Sequence, residues 1–235
     1  MVAYPGRSPA TINRQLYSPV SAVLRRAGIS MVLRRPKGAH DVKATNWLWP
    51  EDAERLLLEA EALNVEFGIL CILLCYTGLR LSEALRLETS DVRVGEAFAY
   101  VPTTKNGAPR PVRLPIIVLH ALGRHPRGLD RKNERLFKFH KGGRLYSLLR
   151  SAAARAEVTL LDREAFHLFR HTYATWMRRY VHLDTRGLVA TGTWKNRKSV
   201  ERYEHVVATE EAHRADELPG ASGTGFPVEK ISNKK

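Results

Sequence analysis

The sequence predicts a mainly α-helical α+β fold carrying one small antiparallel β-hairpin or sheet. Three observations point there. Leu56, Leu57, Ala60 and Leu63 recur at helical spacing, and the pattern is helical again from Ile116 onward. Val65 to Tyr76 is apolar nearly all round, as a buried central helix must be. The period switches once, where Phe98, Tyr100, Val101 and then Pro111-Val112-Arg113-Leu114 flank a turn containing Asn106-Gly107, a hairpin signal.

Taken in order, Thr11 to Ala27 carries a helical stripe at Ile12, Leu16, Val20, Val23 and Leu24, interrupted by Pro19 and closed by Gly28. Residues 34–46, with Arg34-Arg35-Pro36-Lys37-Gly38, read as a basic linker. Trp49-Pro50-Glu51-Asp52 is a helix start, with proline in the first turn and acids at the positive end of the dipole. Gly78 breaks the apolar helix, and Ser82 to Leu87 starts a short new one. Further helices follow, with breaks at Gly123, Gly142-Gly143 and Gly192. The expected organisation is an N-terminal helix and linker over 1–46, one domain over 47–208, and a tail over 209–235 that is partly disordered.

Charge narrows the function. The 235 residues carry 38 Lys+Arg against 24 Asp+Glu, a net +14, which favours a polyanionic partner such as nucleic acid. Residues 124–144 alone are net +6. Arg124, Arg127, Arg131 and Lys132 from that stretch, with Arg110 and Arg113 of the hairpin, are candidates for contacts to a DNA backbone. Residues 201–220 are net −4, an acidic segment suited to a basic neighbour. The longest uncharged run, Phe67 to Leu79, has 13 residues, too few to span roughly 30 Å of hydrocarbon. Arg7, Arg14, Arg25 and Arg26 exclude a signal-peptide reading of the start, and two cysteines exclude a disulfide scaffold. A cytoplasmic protein acting without membrane, metal or cofactor is expected.

Three segments could carry chemistry. Thr77-Gly78-Leu79-Arg80-Leu81-Ser82-Glu83 places a guanidinium at the end of the apolar helix, as a fork for a phosphate or as the partner of Glu83 or Asp91. Phe166-His167-Leu168-Phe169-Arg170-His171 puts His167, Arg170 and His171 on one helical face, where a cation between the histidines would be repelled by the arginine and an anion would be favoured. Gly192-Thr193-Trp194 precedes Tyr203 by about one helical segment, and a tyrosine there is ordinarily only a half-exposed aromatic. Cys71 and Cys75, on the apolar helix, read as core.

In this order and at these separations, the Thr-Gly-Leu-Arg segment, the Thr103-Thr104-Lys105-Asn106-Gly107 turn, the His-x-x-Arg-His helix and the following tyrosine resemble the tyrosine recombinases, the phage-integrase family. The resemblance covers roughly residues 47–207, and Thr11–Ala27 looks like the last helix of the family's core-binding domain. It implies the helical catalytic-domain fold and a site-specific recombinase. Tyr203 would attack the scissile phosphate, Arg80 and Arg170 would clamp its oxygens, and Lys105 would protonate the leaving 5′-oxygen. His167 would be the acid–base partner of Tyr203, and Trp194 would occupy the place where most members carry a second histidine. Glu83, Asp91 and His171 would support, the first two by orienting the Arg80 loop.

Elementary chemistry agrees with those roles. Charge that builds on phosphoryl oxygens is stabilised by two fixed guanidiniums without a metal. A phenol, whose pKa is near 10, needs a base or strong positive surroundings to attack at neutral pH. The resemblance also implies double-stranded DNA with specific recombination sites as substrate, a homo-tetramer on that DNA, an accessory DNA-bending protein and a bacterial or phage nucleoid setting. Residues 1–46 are shorter than the family's usual clamp, so this chain is not expected to encircle DNA as its longer relatives do. Two other readings compete: a DNA-binding integrase remnant without turnover, and a type IB topoisomerase-like enzyme.

Overall fold

A computed structural model describes residues 6–35, 46–102, 109–131, 133–161, 165–194 and 197–206. The chain divides into two compact units, Met1–Ala44 and Thr45–Lys235. In the first, helix runs from Pro9 to Arg26: α1 (Pro9–Ile12), a π-helical turn (Asn13–Tyr17) and α2 (Ser18–Arg26). Ser8 caps its start by accepting the Thr11 N–H at 3.3 Å. Pro19 does not break this helix. It has no N–H to offer the preceding turn, and the backbone upstream widens into the π turn while the proline settles into the first turn of α2.

The second unit is built around two successive, closely packed helices, α3 (Pro50–Leu63) and α4 (Val65–Thr77). Asn64 both ends α3 and caps α4, its side chain accepting the Phe67 N–H at 2.9 Å. The helices cross closely at Gly68, where an added Cβ would stand 2.5 Å from the Glu61 Cα. Helix α4 is buried from Phe67 through Cys75, which explains its all-round apolarity. Around it pack α3, α6 (Ile116–Gly123) and α8 (His167–Arg179), and α7 (Gly143–Arg155) packs on α3. Each large core side chain here, such as Phe67, Leu70, Leu74 or Phe169, contributes about 1.5–3 kcal/mol. Burial pushes the Cys75 thiol up to about 12, so these cysteines are inert core residues.

The hairpin forms, and it gains a strand that the sequence pattern does not signal. Strands β1 (Val92–Arg93), β2 (Phe98–Val101) and β3 (Arg110–Arg113) make an antiparallel sheet in chain order. Val101 pairs with Arg110, so the intervening turn, with Lys105, Asn106 and Gly107, lies outside the described residues. The period-2 pattern is realised in part: Ala99, Val101 and Val112 are buried while Arg113 is exposed. The short helix after Gly78 is α5 (Leu81–Ala84), and α9 (Thr185–Ala190) follows α8. A second, smaller core holds Ala174, Leu188, Trp194, Val200 and Tyr203. Among the described residues no helix is long and apolar enough to cross a membrane. Residues 207–235, including the expected tail, lie outside the described residues.

Candidate active site

Helix α4 ends at Gly78, whose φ of +64° is the left-handed conformation that glycine adopts most easily. An added Cβ would also lie 2.4 Å from the Tyr173 ring, so conformation and space both require glycine here. That tight turn places Arg80 at the N-cap of α5. Glu83 closes the cap, its Oε2 accepting the Arg80 N–H at 2.9 Å while Oε1 pairs with the Arg80 guanidinium at 3.0 Å.

Arg170 lies on α8 and is 4% exposed, so its charge is almost wholly inside the protein. One terminal nitrogen donates to the Gly78 carbonyl and the other to the Thr193 carbonyl at 2.9 Å. Its guanidinium also lies over the Trp194 indole, 4.4 Å from the centroid, a cation–π contact of about 1–2 kcal/mol when desolvated. Desolvation, and then the neighbouring Arg80 charge, bring its pKa down to about 10. Thr193 closes the same junction from the other side, its hydroxyl donating to the Thr77 carbonyl at 3.2 Å. Arg170 therefore ties the end of α4 to the loop after α9.

Tyr203 is 1% exposed and packs against Trp194, ring centroids 5.9 Å apart. Its hydroxyl stands 2.8 Å from Nδ1 of His171, itself 3% exposed. His171, one residue beyond the arginine, is seated on the tyrosine hydroxyl, while His167 is exposed one turn earlier on α8. His167 lines a surface pocket of about 270 Å³ together with Arg80, Ser82, Lys141 and Tyr146. Lys141 is the member of the 124–144 basic stretch that reaches this site, and the sequence gives no sign of it.

The other expected residues fall apart from one another. The Asp91 carboxylate accepts the Glu88 N–H at 2.9 Å and shapes the turn into β1. Arg124 pairs with Glu61 at 2.8 Å, Arg127 with Glu66 at 3.1 Å, and Arg131 with Glu134 at 2.8 Å. Arg127 also donates to the Leu136 carbonyl at 3.0 Å. Arg124 and Arg127 thus staple this segment to α3 and α4, while Arg131 ties the loop to itself, and sequence-distant Glu61 and Glu66 offset part of the +6 read from the linear sequence. Arg113 lies over Phe98 at 5.2 Å and stays exposed. Lys105 and Lys132 are outside the described residues.

Glu83 sets a pH dependence. Burial raises its carboxyl, but the Arg80 N–H and the Arg110, Arg80 and Arg170 charges outweigh that and hold it below the ordinary carboxylate value. A depressed folded value means that its stabilisation is complete above the unfolded carboxylate pKa and lost as pH falls through the folded one. Melting temperature followed on the acid side should therefore fall across that window in the wild type. It should fall less in Glu83→Gln, and identical acid profiles would contradict this role.

The architecture is that of a tyrosine-recombinase catalytic domain, and the phage integrase family profile matches residues 46–210. The chain belongs to the phage integrase family. The catalytic domain of bacteriophage HP1 integrase superimposes with a TM-score of 0.58 at 23% identity, covering 78% of this chain and 100% of that one. XerA recombinase gives 0.62 at 21% identity, with 86% and 74% covered. The Tn1549 transposon integrase in complex with circular intermediate DNA gives 0.65 at 20% identity, with 91% and 80% covered. At these identities the likeness concerns the fold. No curated protein sequence gives a significant match.

Proposed function

We propose that this chain is a site-specific DNA recombinase that cuts and rejoins double-stranded DNA through a 3′-phosphotyrosyl intermediate. The observation that carries the reading is the convergence of Arg80, Arg170, Trp194, His171 and Tyr203, from four separate segments, around one junction. Tyr203 Oη attacks the scissile phosphorus, forming the P–Oη bond as the P–O5′ bond breaks. With its proton on Nε2, His171 accepts the phenolic proton at Nδ1. Arg80, 46% exposed at its side chain, faces the surface pocket and neutralises charge on a non-bridging oxygen. Arg170 supplies fixed positive potential from behind. Lys141, on the rim of the same pocket, adds a second cation to the cup for the phosphate, and His167 lines it. Lys105 remains the proposed donor to the leaving 5′-oxygen. The phosphotyrosyl bond conserves the energy of the cleaved ester, so rejoining needs no nucleotide.

A duplex nicked close to the cleavage position tests this, because loss of the short strand traps the intermediate. The expected result is a covalent protein–DNA adduct in the wild type and none in Tyr203→Phe. Tight binding without any adduct would favour the DNA-binding remnant. Relaxation of supercoiled plasmid irrespective of sequence would favour a topoisomerase.

A further inference from the structure

We propose that Arg110, at the start of β3, is a positioning residue that locks the phosphate-binding loops together and keeps Arg80 electrically available. The proposal rests on the phosphate-site reading above. Nothing in the linear sequence separates Arg110 from the other basic residues of the hairpin, and a DNA-backbone contact is its ordinary reading. Its surroundings say otherwise. The side chain is 17% exposed, against 46% for Arg80. One terminal nitrogen donates to Glu83 Oε2 at 2.9 Å and the other to the Gly192 carbonyl at 2.6 Å. The first contact reaches the Arg80 loop, and the second reaches the loop where Thr193 receives Arg170 and Trp194 covers it. Arg110 thus joins the strand leaving the Lys105 turn to both arginine-bearing junctions.

The charges give the second half of the argument. Glu83 stands between two guanidiniums, Arg80 at 3.0 Å and Arg110 at 2.9 Å. The trio carries one net positive charge at neutral pH, and Arg80 is the member that presents it to solvent, 46% exposed against 17% for Arg110. Without Arg110 the carboxylate is shared with no other cation of the trio, and the Arg80–Glu83 pair becomes neutral toward an incoming phosphate. The Gly192 carbonyl also loses its donor, which loosens the Trp194 loop. A shift of about 1 Å in such a site is enough to cost about 10²-fold in rate.

The test compares wild type, Arg110→Ala, Arg110→Lys and Glu83→Gln/Arg110→Ala on the nicked duplex. Two quantities are read: the single-turnover rate of adduct formation at saturating DNA, and Kd at several salt concentrations. The expected result for Arg110→Ala is a fall of about 10²-fold in rate, with Kd and its salt slope close to wild type. Arg110→Lys, which keeps the charge but not the two-pronged geometry, should recover only part of the rate. The double variant should cleave faster than Arg110→Ala, because it removes the carboxylate that quenches Arg80. A merely structural role would make the double variant slower still. A salt slope lower by about 0.9 with an unchanged saturating rate would make Arg110 a phosphate contact and overturn the proposal. A double variant no faster than the single one would overturn it as well. Absence of adduct in the wild type would overturn the phosphate-site reading itself, and is recognised by that control alone. Should Arg110→Ala fail to fold, Arg110→Lys reports the same division between rate and binding.

Discussion

Arg170→Ala should abolish adduct formation and also weaken the fold, whereas Arg80→Ala should abolish adduct formation and leave the fold nearly unchanged. The two arginines are equivalent in a motif and opposite in their surroundings. Arg170 is 4% exposed and donates to two carbonyls that no water replaces easily, those of Gly78 and Thr193. Leaving a buried acceptor without a donor costs about 1–3 kcal/mol. Two of them, with the stacking on Trp194, make a loss of roughly 3–8 kcal/mol. For a unit of this size that corresponds to a fall of roughly 6–32 °C in Tm. Arg80 makes one ion pair at the surface, worth about 0–1 kcal/mol, and Glu83 keeps Arg110 when it is gone. On the rate, losing Arg80 should cost about 10²–10³-fold or more, the usual effect of removing one donor aimed at developing charge, while losing Arg170 removes the fixed positive potential behind it and the junction that holds the site. Thermal melts beside the nicked-duplex assay separate the two. Equal melting temperatures for wild type and Arg170→Ala would contradict the anchoring role. Arg170→Lys should cleave poorly and melt low, because an ammonium cannot bridge both carbonyls in the planar geometry of the guanidinium.

That contrast marks where sequence reading succeeds and where it stops. The elements are legible because their signals are local. The apolar run 65–76 signals a buried helix, Pro50 with Glu51 and Asp52 a helix start, and Gly78 a helix end. The hairpin is legible for the same reason, whereas β1 is not, being two residues long and held by pairing with Ala99 and Phe98. Pro19 misleads because a π turn can absorb it. Side-chain partnerships are the part that linear order hides. The basic stretch 124–144 reads as a free surface until Glu61 and Glu66, some sixty residues earlier, are brought against it by the packing of α3 and α4. Arg110 reads as one more surface cation until Glu83 and Gly192 enclose it. His171 reads as an accessory to Arg170, because spacing along a helix shows which residues share a face and not which of them meets a tyrosine thirty-two positions later.

His171→Gln should therefore lower single-turnover adduct formation by about 10²–10⁴-fold, the usual contribution of a positioned base, while leaving DNA affinity intact. Glutamine can still accept a hydrogen bond from Tyr203 but cannot take its proton, so the substitution separates holding the phenol from ionising it. In the wild type the rate should rise with pH along a limb set by deprotonation of an imidazole, because only the neutral ring accepts the proton. That limb should vanish in His171→Gln and persist in His167→Gln. A substrate with sulfur in place of the bridging 5′-oxygen provides the complementary control. Its thiolate leaves without a proton, so a variant lacking the leaving-group acid, Lys105→Ala, should regain most of its rate. His171→Gln should not, since its defect is on the attacking side. If His167→Gln instead carried the whole loss and erased the pH limb while His171→Gln cleaved normally, the proton would travel through the exposed histidine beside Arg80. The 2.8 Å contact to Tyr203 would then only orient the nucleophile. The burial of the pair favours the first outcome. Tyr203 and His171 are 1% and 3% exposed, with Trp194 packed on the tyrosine ring, and there a proton leaving the phenol has an imidazole nitrogen at hydrogen-bonding distance.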